Sequence, residues 1–210
     1  MTVLAIDRST NAQSVALAVD GGVVASCAAM TDNWIVGVRD FLKSNGAEPD
    51  GLDRIVVGMG PGSFAGIRGA LSFAQGLAIG IRAKREELAR KTVVYGLPSA
   101  LAAVREGEFA AVVGDARRGL FWIAAYEGER TALELRLATK EELPALVPCG
   151  AIVVTPDCVR IGAALEEMFG EGFAGERLPD AECMVRIAAA HPEMLTPEPL
   201  PIYLSPAVRS

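Results

Sequence analysis

The sequence has a single histidine, His191, and its four cysteines form no Cys-x-x-Cys pair. One histidine excludes a His-x-x-x-His metal site, and the cysteine spacing argues against a zinc knuckle or a thioredoxin motif. The sequence also contains no Gly-x-Ser-x-Gly elbow that would expose a catalytic serine. We therefore predict no metal site and no catalytic residue in this chain.

Positive charge is scarce as well. Twenty lysines and arginines stand against 26 aspartates and glutamates, which gives a net charge of −6. A protein that binds nucleic acid alone normally shows a basic patch, so direct binding is not expected here. The N-terminus lacks the basic and apolar regions of a secretory signal, and the apolar runs are interrupted before the ~20 residues that a membrane span needs. We expect a cytoplasmic protein with no membrane partner.

The composition that remains, 51% hydrophobic and 22% charged, is typical of a globular α/β chain. A predicted strand at Thr2–Ile6 ends at Asp7 and is followed by a hairpin, and the same pattern recurs at Phe109–Gly114 and Asp115. The repeat favours two related lobes, although aspartate after a strand is also ordinary turn chemistry. Local patterns further predict a helix at Pro98–Glu106 and an edge strand at Ile202–Leu204.

A glycine-rich loop, Gly58–Gly66, lies between a predicted strand and a helix from about Ile67 to Ile81. Converging backbone N–H groups at a helix N-terminus could hold a phosphate. The loop lacks the Gly-Lys-Ser/Thr ending of a P-loop, and a tight turn with Ser63 as the helix N-cap explains it equally well. The residues leave both readings open.

The helix after this loop is rich in small residues, and each interior glycine costs about 1 kcal/mol relative to alanine. Close internal packing and a subunit interface could each compensate, and the preceding helix, Trp34–Ser44, supplies apolar companions. Asp7 and Asp115 similarly fit two readings. They could face each other around a nucleotide-bound metal, or each could cap its own hairpin.

Several motifs taken together resemble the bacterial TsaB (YeaZ) family. They are Leu4-Ala-Ile-Asp7-x-Ser-Thr, Gly58-x-Gly-Pro-Gly-Ser-Phe-x-Gly-Ile-Arg68, Gly76-Leu-Ala-x-Gly80, Asp115-Ala-Arg117 and Pro201-Ile-Tyr203-Leu204. The resemblance implies an actin/Hsp70/sugar-kinase-like duplicated fold, with two lobes that each have a mixed sheet and flanking helices. It implies an N-terminal lobe at residues 1–97 with the dimerisation surface, and a smaller lobe at 98–210 whose tail could return to the first.

The resemblance also implies a function. Such a protein is a non-catalytic scaffold of the complex that forms N6-threonylcarbamoyladenosine at position 37 of tRNAs reading codons that start with A. It pairs with a TsaD-like catalytic subunit and a TsaE-like ATPase, forms a homodimer when alone, and meets tRNA only through the complex. It requires no cofactor, with weak ATP, ADP or Mg²⁺ binding expected at the complex interface. The older glycoprotease label has no support in these residues.

Two residue sets follow from the resemblance. The expected partner interface consists of Trp34, Val38, Phe41, Ile67, Gly69, Ala70, Phe73, Ala74 and Leu77. The expected vestigial nucleotide site consists of Asp7, Ser9, Thr10, Gly60, Gly62, Ser63, Asp115 and Arg117. An alternative is a small actin-fold ATPase or kinase that uses Asp7 and Asp115 around Mg-nucleotide. The chain departs from the family pattern at Thr31–Trp34, at Ala65 and at Arg68–Ala70.

Overall fold

The computed structural model describes residues 1–28, 33–84 and 92–204. In chain order its strands are β1 (Thr2–Asp7), β2 (Ser14–Val19), β3 (Gly22–Ala28), β4 (Arg54–Gly58), β5 (Val93–Leu97), β6 (Phe109–Arg117), β7 (Leu120–Glu127), β8 (Arg130–Ala138), β9 (Ile152–Thr155), β10 (Phe173–Glu176) and β11 (Thr196–Pro197). Its α-helices are α1 (Trp34–Ser44), α2 (Phe64–Lys84), α3 (Leu143–Leu146), α4 (Cys158–Phe169) and α5 (Ala181–Ala190). Part of the departure noted at Thr31–Trp34 lies outside the described residues.

The chain forms two compact units. Unit 1 comprises Met1–Ser99 together with Asp180–Ile202, and unit 2 comprises Ala100–Pro179 with residues 203 and 204. The structural border therefore lies two residues beyond the expected one at residue 97. Residues 180–202, which include most of the tail that could return to the first lobe, belong to unit 1. The returning segment also includes α5, which packs on β1, β2 and β3.

The two sheets share a five-strand order, and the sheet of unit 1 has one further edge strand, β11. In unit 1 the order is β11-β5-β4-β1-β2-β3, and in unit 2 it is β10-β9-β6-β7-β8. In each, the first three strands form an antiparallel meander, and the first strand pairs in parallel with the fourth. The repeat confirms the predicted duplication and the actin-like fold.

The core of unit 1 lies between its sheet and the helices α1 and α2. Alternating side chains of β1 and β2 point into this core, among them Leu4, Ile6 and Leu17. Helix α2 contributes side chains at helical spacing, from Ile67 through Ala70, Leu71, Ala74 and Ala78 to Ile81. The other alternating set on β1 and β2 is also buried, as expected for strands that α5 covers on the second face.

Helix α2 is also long and apolar enough, over Phe64–Ala83, to cross a membrane by length and composition alone. About two fifths of its most apolar window, 39%, is buried within the structure. Those buried side chains belong to the core of unit 1, which accounts for the apolar composition of that side of the helix. Burial in this core does not account for the apolar residues on the exposed side of α2.

Candidate functional site

Asp7 is the last residue of β1, and its carboxylate is completely buried. Its Oδ1 accepts hydrogen bonds from the Ser9 backbone nitrogen at 2.8 Å and from the Ser9 hydroxyl at 2.6 Å. Its Oδ2 accepts from the Ser99 hydroxyl at 2.5 Å, and that hydroxyl accepts in turn from the Gly60 nitrogen at 3.0 Å. The carboxylate thus joins the end of β1, the glycine loop and the segment after β5 inside unit 1.

Burial dominates the electrostatics of this group. Desolvation raises the pKa of Asp7 from its ordinary value, and the hydrogen bonds from Ser9 and Ser99 offset only part of that effect. Both oxygens of this buried carboxylate accept hydrogen bonds from residues of unit 1. Among the described residues, no group of three or more His, Cys, Asp or Glu side chains could hold a metal ion.

The glycine loop closes directly onto the turn after β1. A Cβ at Gly62 would lie 2.1 Å from the carbonyl oxygen of Ser9, and a Cβ at Gly66 would lie 2.0 Å from the carbonyl oxygen of Arg8. Both distances are far below van der Waals contact, so these positions require glycine. The small residues of this loop therefore serve close backbone packing.

The polar groups of the loop are likewise used within it. The Ser63 nitrogen donates to the Ser9 carbonyl at 2.6 Å, and the Ser63 hydroxyl accepts from the Gly66 nitrogen at 3.3 Å as a helix cap. The Thr10 hydroxyl donates to the Ala12 carbonyl at 2.8 Å. Between the two readings of the sequence, these contacts favour the structural turn over a phosphate cradle.

The second aspartate organises a hairpin in unit 2. Asp115 Oδ1 accepts from the Arg117 nitrogen at 2.8 Å, and the side chains of Arg117 and Arg160 lie 3.4 Å and 3.7 Å from its Oδ2. The Asp115 nitrogen donates to Asp157 at 3.0 Å. Asp7 and Asp115 thus each hold their own turn, in different units, with contacts that a hairpin cap explains.

The structure corrects four of the nine expected interface residues. Val38, Ile67, Ala70 and Ala74 are between 0% and 2% exposed and line the core of unit 1. Their side chains have no surface to give a partner. Trp34, Phe41, Phe73 and Leu77 are half-buried against that core, and Gly69 lies beside Trp34.

A different side of the same helices faces outward. We use the term α1–α2 face for the exposed stripe of α2 together with Trp34 and Ile35 of α1. The stripe consists of Phe64, Ala65, Arg68, Ser72, Gln75, Gly76, Ile79 and Gly80.

Three large apolar side chains of this face are exposed to solvent. Ile79 is 65% exposed, Phe64 is 56% exposed and Ile35 is 49% exposed. Phe64 and Ile79 are absent from the expected interface, although the helical period of the buried set already predicts which side they occupy. A Cβ at Gly76 or at Gly80 would meet no atom within 4 Å, so nothing among the described residues requires glycine there.

Arg8 connects the turn after β1 to the α1–α2 face. Its guanidinium carbon lies 4.2 Å from the centroid of the Trp34 ring, and its Nε donates to the Gln13 side chain at 2.9 Å. A Cβ at Gly69 would lie 3.2 Å from its Nη1, so the missing side chain at Gly69 makes room for this group. Burial lowers the pKa of Arg8 from its ordinary value. Sequence reasoning missed this residue.

Comparisons with known proteins agree on one family. The family model described as TsaD, tRNA N6-adenosine threonylcarbamoyltransferase, matches residues 5–133. Over 84 residues the chain is 40% identical to the tRNA threonylcarbamoyladenosine biosynthesis protein TsaB of Escherichia coli and 36% identical to that of Haemophilus influenzae. Each alignment covers 38% of this chain and only 36% of the relative's own length.

Two solved structures extend the likeness over almost the whole chain. YeaZ from Pseudomonas aeruginosa is 26% identical with a TM-score of 0.76, and the match covers 97% of this chain and 99% of that one. A further Pseudomonas aeruginosa protein, described as similar to the peptidase YeaZ, is 25% identical with a TM-score of 0.75 and the same coverage.

Proposed function

We propose a function from the premise that this chain belongs to the TsaD family of tRNA N6-adenosine threonylcarbamoyltransferases and is a TsaB (YeaZ)-type member of it. In this proposal the chain is a non-catalytic subunit of that modification system. In this role it activates a TsaD-like catalytic subunit, which transfers the threonylcarbamoyl group to the adenosine at position 37 of tRNAs that read codons starting with A. A TsaE-like ATPase joins the pair in the cytoplasm.

The observation that carries the proposal is the exposure of Phe64, Ile79 and Ile35 on the α1–α2 face. Phe64 and Ile79 lie on the exposed side of α2, and exposed large apolar side chains along one side of a helix are typical of a surface that another protein covers. The glycines at positions 76 and 80 also favour a surface that a partner covers, because each weakens the helix and neither is needed for packing among the described residues.

The internal use of Asp7 supports the non-catalytic half of the proposal. A carboxylate that is completely buried and accepts three hydrogen bonds joins separate segments of unit 1. Asp115 is likewise engaged by the backbone and side chain of Arg117. No contact of either aspartate with the described residues favours the alternative of an ATPase or kinase, so we carry that alternative no further.

Size-exclusion chromatography with light scattering, on this chain mixed with the TsaD-like subunit of the same organism, tests the proposal. We expect a heterodimer with the wild-type chain. Ile79→Glu should abolish it, because the carboxylate would have to be desolvated in an apolar contact.

Val159→Glu is the matched control, since Val159 is likewise an exposed β-branched residue on a helix, 98% exposed on α4 of unit 2. It should leave the heterodimer intact. Failure of the wild-type chain to bind, or equal binding by the two variants, would contradict the proposed interface.

A further inference from the structure

Arg8 carries a charge that no carboxylate of the described residues neutralises. Its polar contact is with the neutral amide of Gln13, and its guanidinium lies over the Trp34 ring. The side chain is half-buried, so solvent screens its charge less than that of a fully exposed arginine. A partly desolvated guanidinium that pairs with no carboxylate in the described part of the chain is suited to bind an anionic group.

The residues that define the α1–α2 face include no carboxylate, although the chain as a whole is acidic. Helix α2 contains no aspartate or glutamate and carries Arg68 and Arg82. On α1, the exposed Asp40 is engaged by Arg39, whose Nε and Nη2 lie 2.9 Å and 2.8 Å from it. The α1–α2 face thus carries Arg68 and no acidic residue, on a protein whose net charge is −6.

The position of Arg8 orients its guanidinium for hydrogen bonds of defined geometry. Trp34 supports the flat side of the guanidinium, and Gln13 holds its Nε. Such support leaves the two terminal nitrogens to form paired hydrogen bonds with a carboxylate, a geometry that lysine cannot reproduce. Gly69 leaves room beside Nη1, where a larger side chain would displace the group.

We propose that Arg8 is a specificity-determining residue of the α1–α2 face and receives a carboxylate from the protein that covers this face. The inference rests on the proposed function, since it takes the partner to be the TsaD-like subunit. It favours that subunit over a second copy of this chain. In a two-fold homodimer this face would meet its own copy, and none of the residues that define the face is acidic, so the copy would supply no carboxylate for Arg8.

Titration calorimetry of this chain with the TsaD-like subunit, at several salt concentrations, tests the inference. We expect wild-type affinity to fall as salt rises. Arg8→Gln, which keeps side-chain amide donors and removes the charge, should bind at least about tenfold more weakly at low salt and show a flatter salt dependence.

Two further variants separate charge from packing. Arg54→Gln is the matched control, because Arg54 also lies near an aromatic ring, with its guanidinium carbon 5.6 Å from the Tyr95 centroid. It should retain wild-type affinity and salt dependence. Arg8→Lys keeps the charge and loses the flat fork, so it should keep the salt dependence and recover only part of the affinity.

The outcomes are distinguishable. If the wild-type chain does not bind the TsaD-like subunit, the proposed function fails. If it binds, and Arg8→Gln, folded by its thermal transition, matches Arg54→Gln, the role of Arg8 is overturned and the proposed function stands. Sedimentation of the chain alone measures whether it forms a homodimer. A homodimer that is as tight as the heterodimer and is broken by Ile79→Glu would overturn the stated preference.

Discussion

Asp7 illustrates at the residue scale how a site predicted from sequence can be real and still have a different role. The sequence places Asp7 with Ser9, Gly60, Gly62 and Ser63, and the structure brings all five together. The difference lies in burial, which depends on residues distant in sequence such as Ser99, 92 positions away. Short motifs do not report whether a carboxylate faces solvent or a buried hydroxyl.

Replacement of Asp7 by asparagine should alter how stability depends on pH. Because the pKa of Asp7 is raised in the folded state, the native protein binds a proton that the unfolded chain has released, so wild-type stability falls as pH rises from about 4. The asparagine side chain cannot ionise and keeps an oxygen acceptor for Ser9. We therefore expect the free energy of unfolding of Asp7→Asn, relative to wild type, to rise between about pH 4 and pH 7.

Urea unfolding of both proteins across this range is the measurement. A relative stability that stays constant, or that shifts in favour of the wild type as pH rises, would show that ionised Asp7 stabilises the fold.

At the scale of the elements, helix α2 contains glycines of two kinds. Gly66 approaches the Arg8 carbonyl so closely that a Cβ would lie 2.0 Å away, whereas a Cβ at Gly76 would lie in open space. Gly66→Ala should therefore destabilise the chain by about 2 kcal/mol or more. Gly76→Ala should stabilise the isolated chain by about 0.5–1 kcal/mol, because alanine favours the helix.

Thermal and urea unfolding of these two alanine variants make a matched test on a single helix. Loss of stability at position 76 comparable to that at position 66 would mean that Gly76 also packs within the chain. In that case its glycine would no longer support a partner surface.

A second element-scale prediction concerns the ion pair between Glu108, just before β6, and Arg177, just after β10. Arg177 Nη1 lies 3.0 Å from the Glu108 carboxylate. Burial acts to raise the pKa of Glu108, but the hydrogen bonds from Arg177 and the Arg105 backbone outweigh it and lower that pKa. The stabilisation is therefore present above the ordinary pKa of glutamate and is lost as pH falls through the lowered value.

A double-mutant cycle with Glu108→Gln and Arg177→Met measures this coupling. We expect about 1 kcal/mol at pH 7, because the pair is only partly buried, and a value near zero once the carboxyl is protonated at about pH 2. Coupling that is the same at both pH values would assign the contact to packing.

Local sequence patterns predicted some elements well and others poorly. The helices Trp34–Ser44 and Ile67–Ile81 are present as α1 and α2, since their apolar spacing and end signals agree. The predicted helix at Pro98–Glu106 is wrong, because the structure has a single 3₁₀ turn at Leu101–Ala103. The strand expected at Ile202–Leu204 is also wrong, and the tail instead pairs through β11 at Thr196–Pro197.

The interface prediction shows a limit of the same kind. Small and apolar residues on α2 belong to both of its sides, so composition alone did not separate Ala70 and Ala74, which are buried, from Phe64 and Ile79, which are exposed. The separation requires knowing which side meets the sheet. That orientation is set by core residues of β1 and β2, which are far from α2 in sequence, together with those of the preceding strand β4.

For the whole molecule, the repeated pattern of a strand, an aspartate and a hairpin was enough to predict the duplication. Each copy specifies the same local topology, and five strands of each sheet follow the same order, with β11 as an additional edge strand in unit 1. The placement of α5 in unit 1 was not predictable in this way. Its buried side, which includes Met184, Val185 and Ala188, would suit either sheet, and only long-range packing selects one.

In the proposed role, this chain supports a TsaD-like enzyme through its α1–α2 face and performs no chemistry itself. The most direct measurement is threonylcarbamoylation of tRNA by the TsaD-like and TsaE-like subunits, with wild-type chain, with Ile79→Glu, with Asp7→Asn and with no added chain. We predict modification with the wild-type chain and with Asp7→Asn, and little or none with Ile79→Glu or without the chain. Equal modification in the absence of the chain, or loss with Asp7→Asn in a folded complex, would contradict the account.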